Sequence, residues 1–185
     1  MTRYAPDHKQ KTREAIVDAA SSFIRRNGLS TLGVAAIMSD AGLTHGGFYA
    51  HFKSRDALLA AAVTRLFDVA VETVDYFESK YGAAGLERYV DFYLSPRHRD
   101  DLSIGCPIPS LAAETRRAAP QVRAAFDAGL DRLADRLGEL MPRGGRRAAL
   151  ALLGELAGTL SVSRAIPDQK QSNDLLAAKR KEVLA

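Results

Sequence analysis

Residues 44–53, Thr-His-Gly-Gly-Phe-Tyr-Ala-His-Phe-Lys, gather groups suited to a polyanion in one short stretch. Thr44 offers a hydroxyl, and a helix beginning there adds backbone N–H groups for a phosphate oxygen; Tyr49 offers a phenolic donor and Lys53 a charge. Contacts of this kind fix position on a duplex without reading its sequence. His45 can donate to a guanine edge or a phosphate, and as a bland alternative is a solvated surface histidine. Gly46 and Gly47 each cost a helix about 1 kcal/mol relative to alanine and let the backbone come close to a ligand. Two adjacent glycines seldom persist for stability alone.

The surrounding pattern supplies the elements that would aim these groups. Val34, Ile37, Met38 and Ala41 form the inward face of a short helix, Gly42-Leu43-Thr44 a tight turn anchored by Leu43, and residues 45–51 a second short helix that starts with Thr44 as its N-cap. Phe48 and Phe52 hold that second helix from behind, leaving His45, Gly46, Gly47, Tyr49 and Ala50 outward. Helix, glycine turn and helix in about twenty residues is the geometry that braces one helix for the major groove. A helix over 12–27 precedes it, with Ala15, Ile16, Ala19, Ala20, Phe23 and Ile24 as one stripe and Gly28 as its stop. Ser54 caps a long helix whose apolar rhythm runs from Leu58 to Phe77 and joins this part to the rest.

Helical periodicity continues to the C-terminus, and no segment alternates as a half-buried strand does, so an all-α chain is expected. Gly82 and Gly85 precede a helix through Leu94; residues 96–107 read as a loop, followed by helices over 108–117 and from Pro120 to Leu140, ended by Pro142 and Gly144-Gly145. The segment 146–165 is apolar over most of its circumference and dense in alanine and glycine, more than a monomer of this length covers easily. A terminal helix, 173–184, is expected with Ser172 or Asn173 as its cap.

Composition narrows the function classes. The chain has 185 residues, 46% hydrophobic and 26% charged, and no apolar run long enough to span a bilayer. The polar start lacks a secretory apolar core, so a cytoplasmic location without membrane contact is expected. Of the net charge of +4, residues 1–56 carry most, with 8 Lys/Arg against 5 Asp/Glu and three of the four histidines. One cysteine, Cys106, allows neither an internal disulfide nor a cysteine-rich zinc site. It reads as a small buried residue or, alternatively, as a thiol activated by a helix N-terminus and Arg97, Arg99, Arg116 and Arg117. His98 with Asp100 and Asp101, or with Cys106, falls in the expected surface loop without the rest of a catalytic set, so no enzyme, cofactor or metal is expected.

The Ala41-Gly42 turn, Thr44, Gly46, Phe48-Tyr49, His51-Phe52, and Ser54 with Arg55 and Asp56 before Leu58 together resemble the signature of the TetR/AcrR family of bacterial regulators. Upstream, Thr12-Arg13-Glu14, Ala19, Ala20, Phe23 and Gly28 resemble that family's first helix, and the likeness is strong over 9–69 and weaker beyond. The resemblance implies about nine helices in a homodimer: a helix-turn-helix DNA-binding domain over 9–69, its motif at about 32–51, and a ligand-binding and dimerisation domain over 70–185. Gly33, Thr44, His45, Gly46, Gly47, Tyr49, His51 and Lys53 are the implied contacts to a double-stranded operator. The sequence departs from the family at Gly33, usually Thr or Ser, at Ala35, commonly polar, and at His45, frequently lysine; Arg3, Lys9, Lys11 and Arg13 in a polar tail are candidates to compensate.

The segments 146–165 and 173–184 would pair with their copies, giving a palindromic operator with reading helices about 34–36 Å apart. An unknown small molecule, or an oxidant or electrophile, would release the repressor by favouring wrongly spaced heads. Its pocket is expected among Phe67, Val71, Tyr89, Phe92, Cys106, Leu111 and Phe126, with Phe77 also available and His98, Arg99, Ser103 and Ser110 as the few polar neighbours, which favours an apolar or weakly polar effector. The rival readings are a non-specific architectural DNA protein, which needs a larger basic excess, and a dimeric helical ligand-binding protein with weak or no sequence-specific DNA binding.

Overall fold

The computed structural model describes residues 6–141 and 144–185; Arg3 and Pro142 lie outside them. The described residues are helical throughout, without a strand: α1 (Pro6–Asn27), α2 (Val34–Asp40), α3 (Arg55–Tyr81), α4 (Gly85–Tyr93), α5 (Pro96–Asp100), α6 (Pro107–Thr115), α7 (Pro120–Glu139), α8 (Gly145–Ala165) and α9 (Gln169–Val183), with 3-10 turns at His45–Ala50, Gly82–Ala84 and Leu102–Ile104.

One continuous core runs from Ile16, Ala20 and Ile24 of α1 through Leu58, Ala62, Leu66 and Val74 of α3 to Leu133 and Leu137 of α7 and Leu153, Leu156 and Leu160 of α8. Helix α3 carries the chain unbroken across residue 69, so head and body share it. Helices α3 and α7 run side by side in the same direction; Phe67 meets Phe126 edge-on at 5.1 Å, and Arg132 and Arg136 of α7 reach Asp68 and Asp75 of α3. These exposed pairs set register more than stability. Helices α7, α8 and α9 then pack antiparallel in succession, with Lys179 bonded to Glu155 and Ser172 Oγ donating to the Ser163 carbonyl. Gly129 lets α3 and α7 approach, because a Cβ there would collide with the Phe67 ring. Gly129→Ala is expected to lower stability by about 2 kcal/mol through overpacking, read as a reduced urea midpoint at unchanged slope.

Four expectations are corrected. Helix α1 begins at Pro6 rather than at 12, so Lys9 and Lys11 of the polar tail are helical too, and Arg13, inside the expected helix, stacks over the Phe52 ring at 4.8 Å. Residues 45–50 wind as a 3-10 turn instead of an α-helix, and Thr44 holds the N-cap position without a side-chain capping bond. The expected loop over 96–107 contains α5, started by Pro96 and capped by Ser95, which accepts from the His98 N–H at 3.2 Å. Helix α9 starts four residues early, capped by Asp168 rather than Ser172 or Asn173, because those two side chains turn to Arg99.

Candidate nucleic-acid interface

The reader is built on a helix end with a specific hydrogen-bond pattern. At the close of α2 the Gly42 N–H donates to the Ser39 carbonyl (2.9 Å) and the Leu43 N–H to Met38 (2.8 Å), a Schellman pair that needs a left-handed residue between them; Gly42 supplies it at φ +71. Leu43 then packs, partly buried, against the core to which Ile37 and Met38 belong, which sets the direction in which residue 44 leaves.

Two glycines and only six residues give the following segment little tendency to form an α-helix, and it winds as 3-10. Phe48 is buried and stacks on Phe52 at 5.8 Å, fixing the turn from behind. Tyr49, edge-on to Phe48 at 5.3 Å, is 72% exposed. A Cβ at Gly46 would meet nothing within 4 Å, so no packing inside the chain demands glycine there.

Of the residues singled out from the sequence, Gly33, Thr44, His45, Gly46, Tyr49 and Lys53 are exposed and Gly47 half-exposed around one turn. Gly33 caps α2 through its backbone alone and brings no side chain to a phosphate. His51 differs: it is half-buried, its Nδ1 has no hydrogen-bond partner among the described residues, and burial followed by the nearby Lys9 and Arg13 charges holds its pKa below the usual value. A neutral ring beside α1 is its state at pH 7.

Three arginines hold the elements together: Arg55 within the head, Arg99 within the body and Arg25, which sequence reasoning passed over, between the two. Arg55 donates to the carbonyls of Leu29, Ser30 and Leu32, stapling the turn between α1 and α2 onto α3. Arg25 of α1 reaches the Ser103 carbonyl in the segment after α5. Arg99 is buried and uses all five of its N–H donors: two on Asp100, two on Ser172 and Asn173, one on Gln169. Arg164 adds bonds to the His98 and Arg99 carbonyls, so α5 is tied to both α8 and α9. From α6, Glu114 accepts the Ser30 N–H at 3.0 Å and seats against Gly28.

The body's expected pocket residues separate. Tyr89, Phe92 and Cys106 meet, with Tyr93 and His98, around a cavity of only about 20 Å³, room for one water. Phe67 and Phe126 pack on each other, Leu111 is sealed in the core, and Val71 is half-buried on α3. His98 is buried too: its Nδ1 lies 2.8 Å from the Tyr93 carbonyl, so it carries the proton, and Nε2 accepts the Cys106 N–H at 3.0 Å. Burial lowers its pKa to about 4. Cys106 does precede a helix N-terminus, but the thiol is buried and burial pushes its pKa up; the nearby cations are Arg164 and Arg25 rather than those adjacent in sequence. Cys106 is thus the small buried residue of the first reading, and the alternative of an activated thiolate has no support from its surroundings.

A short helix, a Schellman turn and an exposed second helical turn, braced by a third helix and set on an all-helical body, define a helix-turn-helix regulator fold. A family model described as "Bacterial regulatory proteins, tetR family" matches residues 16–62. Among solved structures, Escherichia coli NemR in its reduced form superposes with TM-score 0.75 at 18% identity, over 92% of this chain and 97% of that one. A TetR-family regulator from Agrobacterium tumefaciens gives 0.75 at 19% (94% and 98%), and one from Chloroflexus aurantiacus 0.70 at 24% (96% and 96%). Among curated protein sequences none matches at a significant level. The reader is a TetR-family helix-turn-helix domain, and the fold of the whole chain is TetR-like. No described helix is long and apolar enough to cross a membrane.

Proposed function

We propose that this chain is a cytoplasmic, ligand-responsive transcriptional repressor that binds a palindromic duplex operator as a homodimer and is released by a small molecule. The observation that carries the reading is the 3-10 turn at 45–50: it exposes Tyr49, His45 and the open face of Gly46 while Phe48 anchors it from below. Thr44, Tyr49 and Lys53 serve as phosphate contacts, and Gly46 and Gly47 admit the backbone to the groove. His51 acts from behind, as a neutral spacer against α1. The head comprises residues 9–69 and the ligand and dimer domain 70–185.

Dimerisation is supported by α8, where Ala151, Gly154, Gly158 and Val162 form an exposed ridge of small and apolar groups, with Ala177 and Ala178 exposed on neighbouring α9. An oxidant or electrophile acting at Cys106 has no support from the buried thiol, so release by reversible ligand binding is the favoured route.

Selection of bound duplexes from a random pool at near-physiological salt tests the reading. An enriched palindrome is expected, and Tyr49→Ala should weaken binding to it by roughly tenfold with the fold intact, since one phosphate contact is lost from an exposed side chain. No enriched sequence with the parent protein would transfer the function to the helical body and its ligands.

A further inference from the structure

The closed core cavity is not where open space and chemistry coincide. On the body's flank, next to the head, a groove of about 580 Å³ is lined by aromatic rings and cations: Tyr76, Phe77 and Phe92 on one side, Lys80, Arg97 and Arg25 around it. That volume falls in the range of small-molecule sites. Phe77 lies 5.5 Å from Phe92 and edge-on to Tyr76 at 5.3 Å, so the rings form a continuous wall. Tyr76 is 53% exposed, a large aromatic left uncovered beside the groove. Val69, Thr73, Phe92 and Ile104 also line the small cavity, which places the groove at that cavity's mouth.

Its charge is one-sided. Three cations line it and, among the described residues, no carboxylate does; Asp101, which bears on Arg25 from outside the lining, is held by the N–H and hydroxyl of Ser103. Arg25 is the telling group. It is only 8% exposed, one Nη is engaged by the Ser103 carbonyl, and its Nε is buried with no hydrogen-bond partner among the described residues. A buried guanidinium with an unused donor lacks the counter-charge that would offset its desolvation, and that burial lowers its pKa.

Building on the reading of this chain as a ligand-responsive regulator, we propose that the groove is its effector site and that the ligand is a small aromatic carboxylate, its ring against Phe77 and Phe92 and its anionic group between Arg25, Lys80 and Arg97. A planar ring gains from the aromatic wall, and the carboxylate meets three cations in a partly desolvated place. Because Arg25 belongs to α1 of the head while the other groups belong to the body, ligand bound there changes how α1 is held against residues 102–104. This differential contact is what a ligand needs in order to shift the spacing of the heads.

The test uses the full chain with salicylate and 1-naphthoate as probes, against benzyl alcohol, benzylamine and cyclohexanecarboxylate, by calorimetry and ligand-observed NMR. The arene carboxylates should saturate at low-millimolar concentration or below and bind roughly tenfold tighter than the neutral, cationic or non-aromatic analogues. Lys80→Gln/Arg97→Gln alters only exposed side chains and should weaken the carboxylates by roughly tenfold without changing the melting temperature. The proposal is overturned if no arene carboxylate saturates, if the analogues match it, or if the double variant binds as the parent does. Duplex binding separates this from the parent reading. A protein that selects an operator but ignores the carboxylates loses the site and keeps the reader, whereas one that binds carboxylates through Lys80 and Arg97 yet selects no duplex keeps the site and loses the reader.

Discussion

Gly158→Arg should yield a well-folded monomer whose operator affinity is lower by on the order of a hundredfold, the factor lost when two linked half-site contacts become independent. Gly158 lies mid-helix on α8, and a side chain there meets nothing within 4 Å inside the protomer; the same holds at Gly154 one turn earlier. The protomer alone therefore has no use for glycine at either position. Replacing a mid-helix glycine should even raise the helix's intrinsic stability, by up to about 1 kcal/mol. A partner helix laid across Ala151, Gly154 and Gly158, however, would meet a long charged side chain where it needs close backbone approach. Light scattering should show the halved mass, circular dichroism a retained helix content, and duplex titration the affinity loss. An unchanged mass and affinity in the variant would remove α8 from the interface.

How much of this was legible in the sequence depends on the kind of signal. The reader was readable because its anchors are local: Gly42, Leu43, Phe48 and Phe52 act through neighbours within ten residues, and their spacing alone dictates the turn. The 3-10 winding of 45–50 was within reach, since Gly46-Gly47 argues against a stable α-turn, but a helical period over six residues does not separate the two. Residues 96–104 misled for a different reason. Pro-Arg-His-Arg-Asp-Asp reads as a solvated loop, yet His98 and Arg99 are among the most deeply buried polar groups of the chain. Arg99's partners Gln169, Ser172 and Asn173 lie some seventy residues away in sequence and are recognisable only once α9 is folded back along α8, whereas the His98 ring is held by Tyr93 and Cys106 close by. The same long-range pairing moved the cap of α9 to Asp168. The groove was legible only in part: Phe77 and Phe92 stood among the expected pocket residues, whereas Arg25, Tyr76 and Lys80 did not, because helical period says nothing about which side chains are left uncovered beside one another.

Acid should unfold the protein earlier than its other histidines would dictate, with His98 as the cause. In the folded chain its pKa is about 4 against 6.5 for the free group, so between those values the unfolded state binds the extra proton and the native state does not. Stability then falls as pH falls, by about 1.4 kcal/mol per unit and about 3 kcal/mol across the window, with the full contribution present above pH 6.5. His51, also lowered by burial, adds a smaller effect of the same sign. The structural reason is specific. Protonating Nε2 converts the acceptor of the Cys106 N–H into a donor and places a cation near Arg164 and Arg25. Residues 101–106 would lose their hold on α5, and with them the Ser103 carbonyl that receives Arg25 from the head. His98→Gln keeps a donor and an acceptor but cannot titrate. It should be less stable at pH 7, yet flatter between pH 6.5 and 4.5, when urea unfolding is followed by circular dichroism. Equal pH slopes for parent and variant would show that His98 does not carry the acid response.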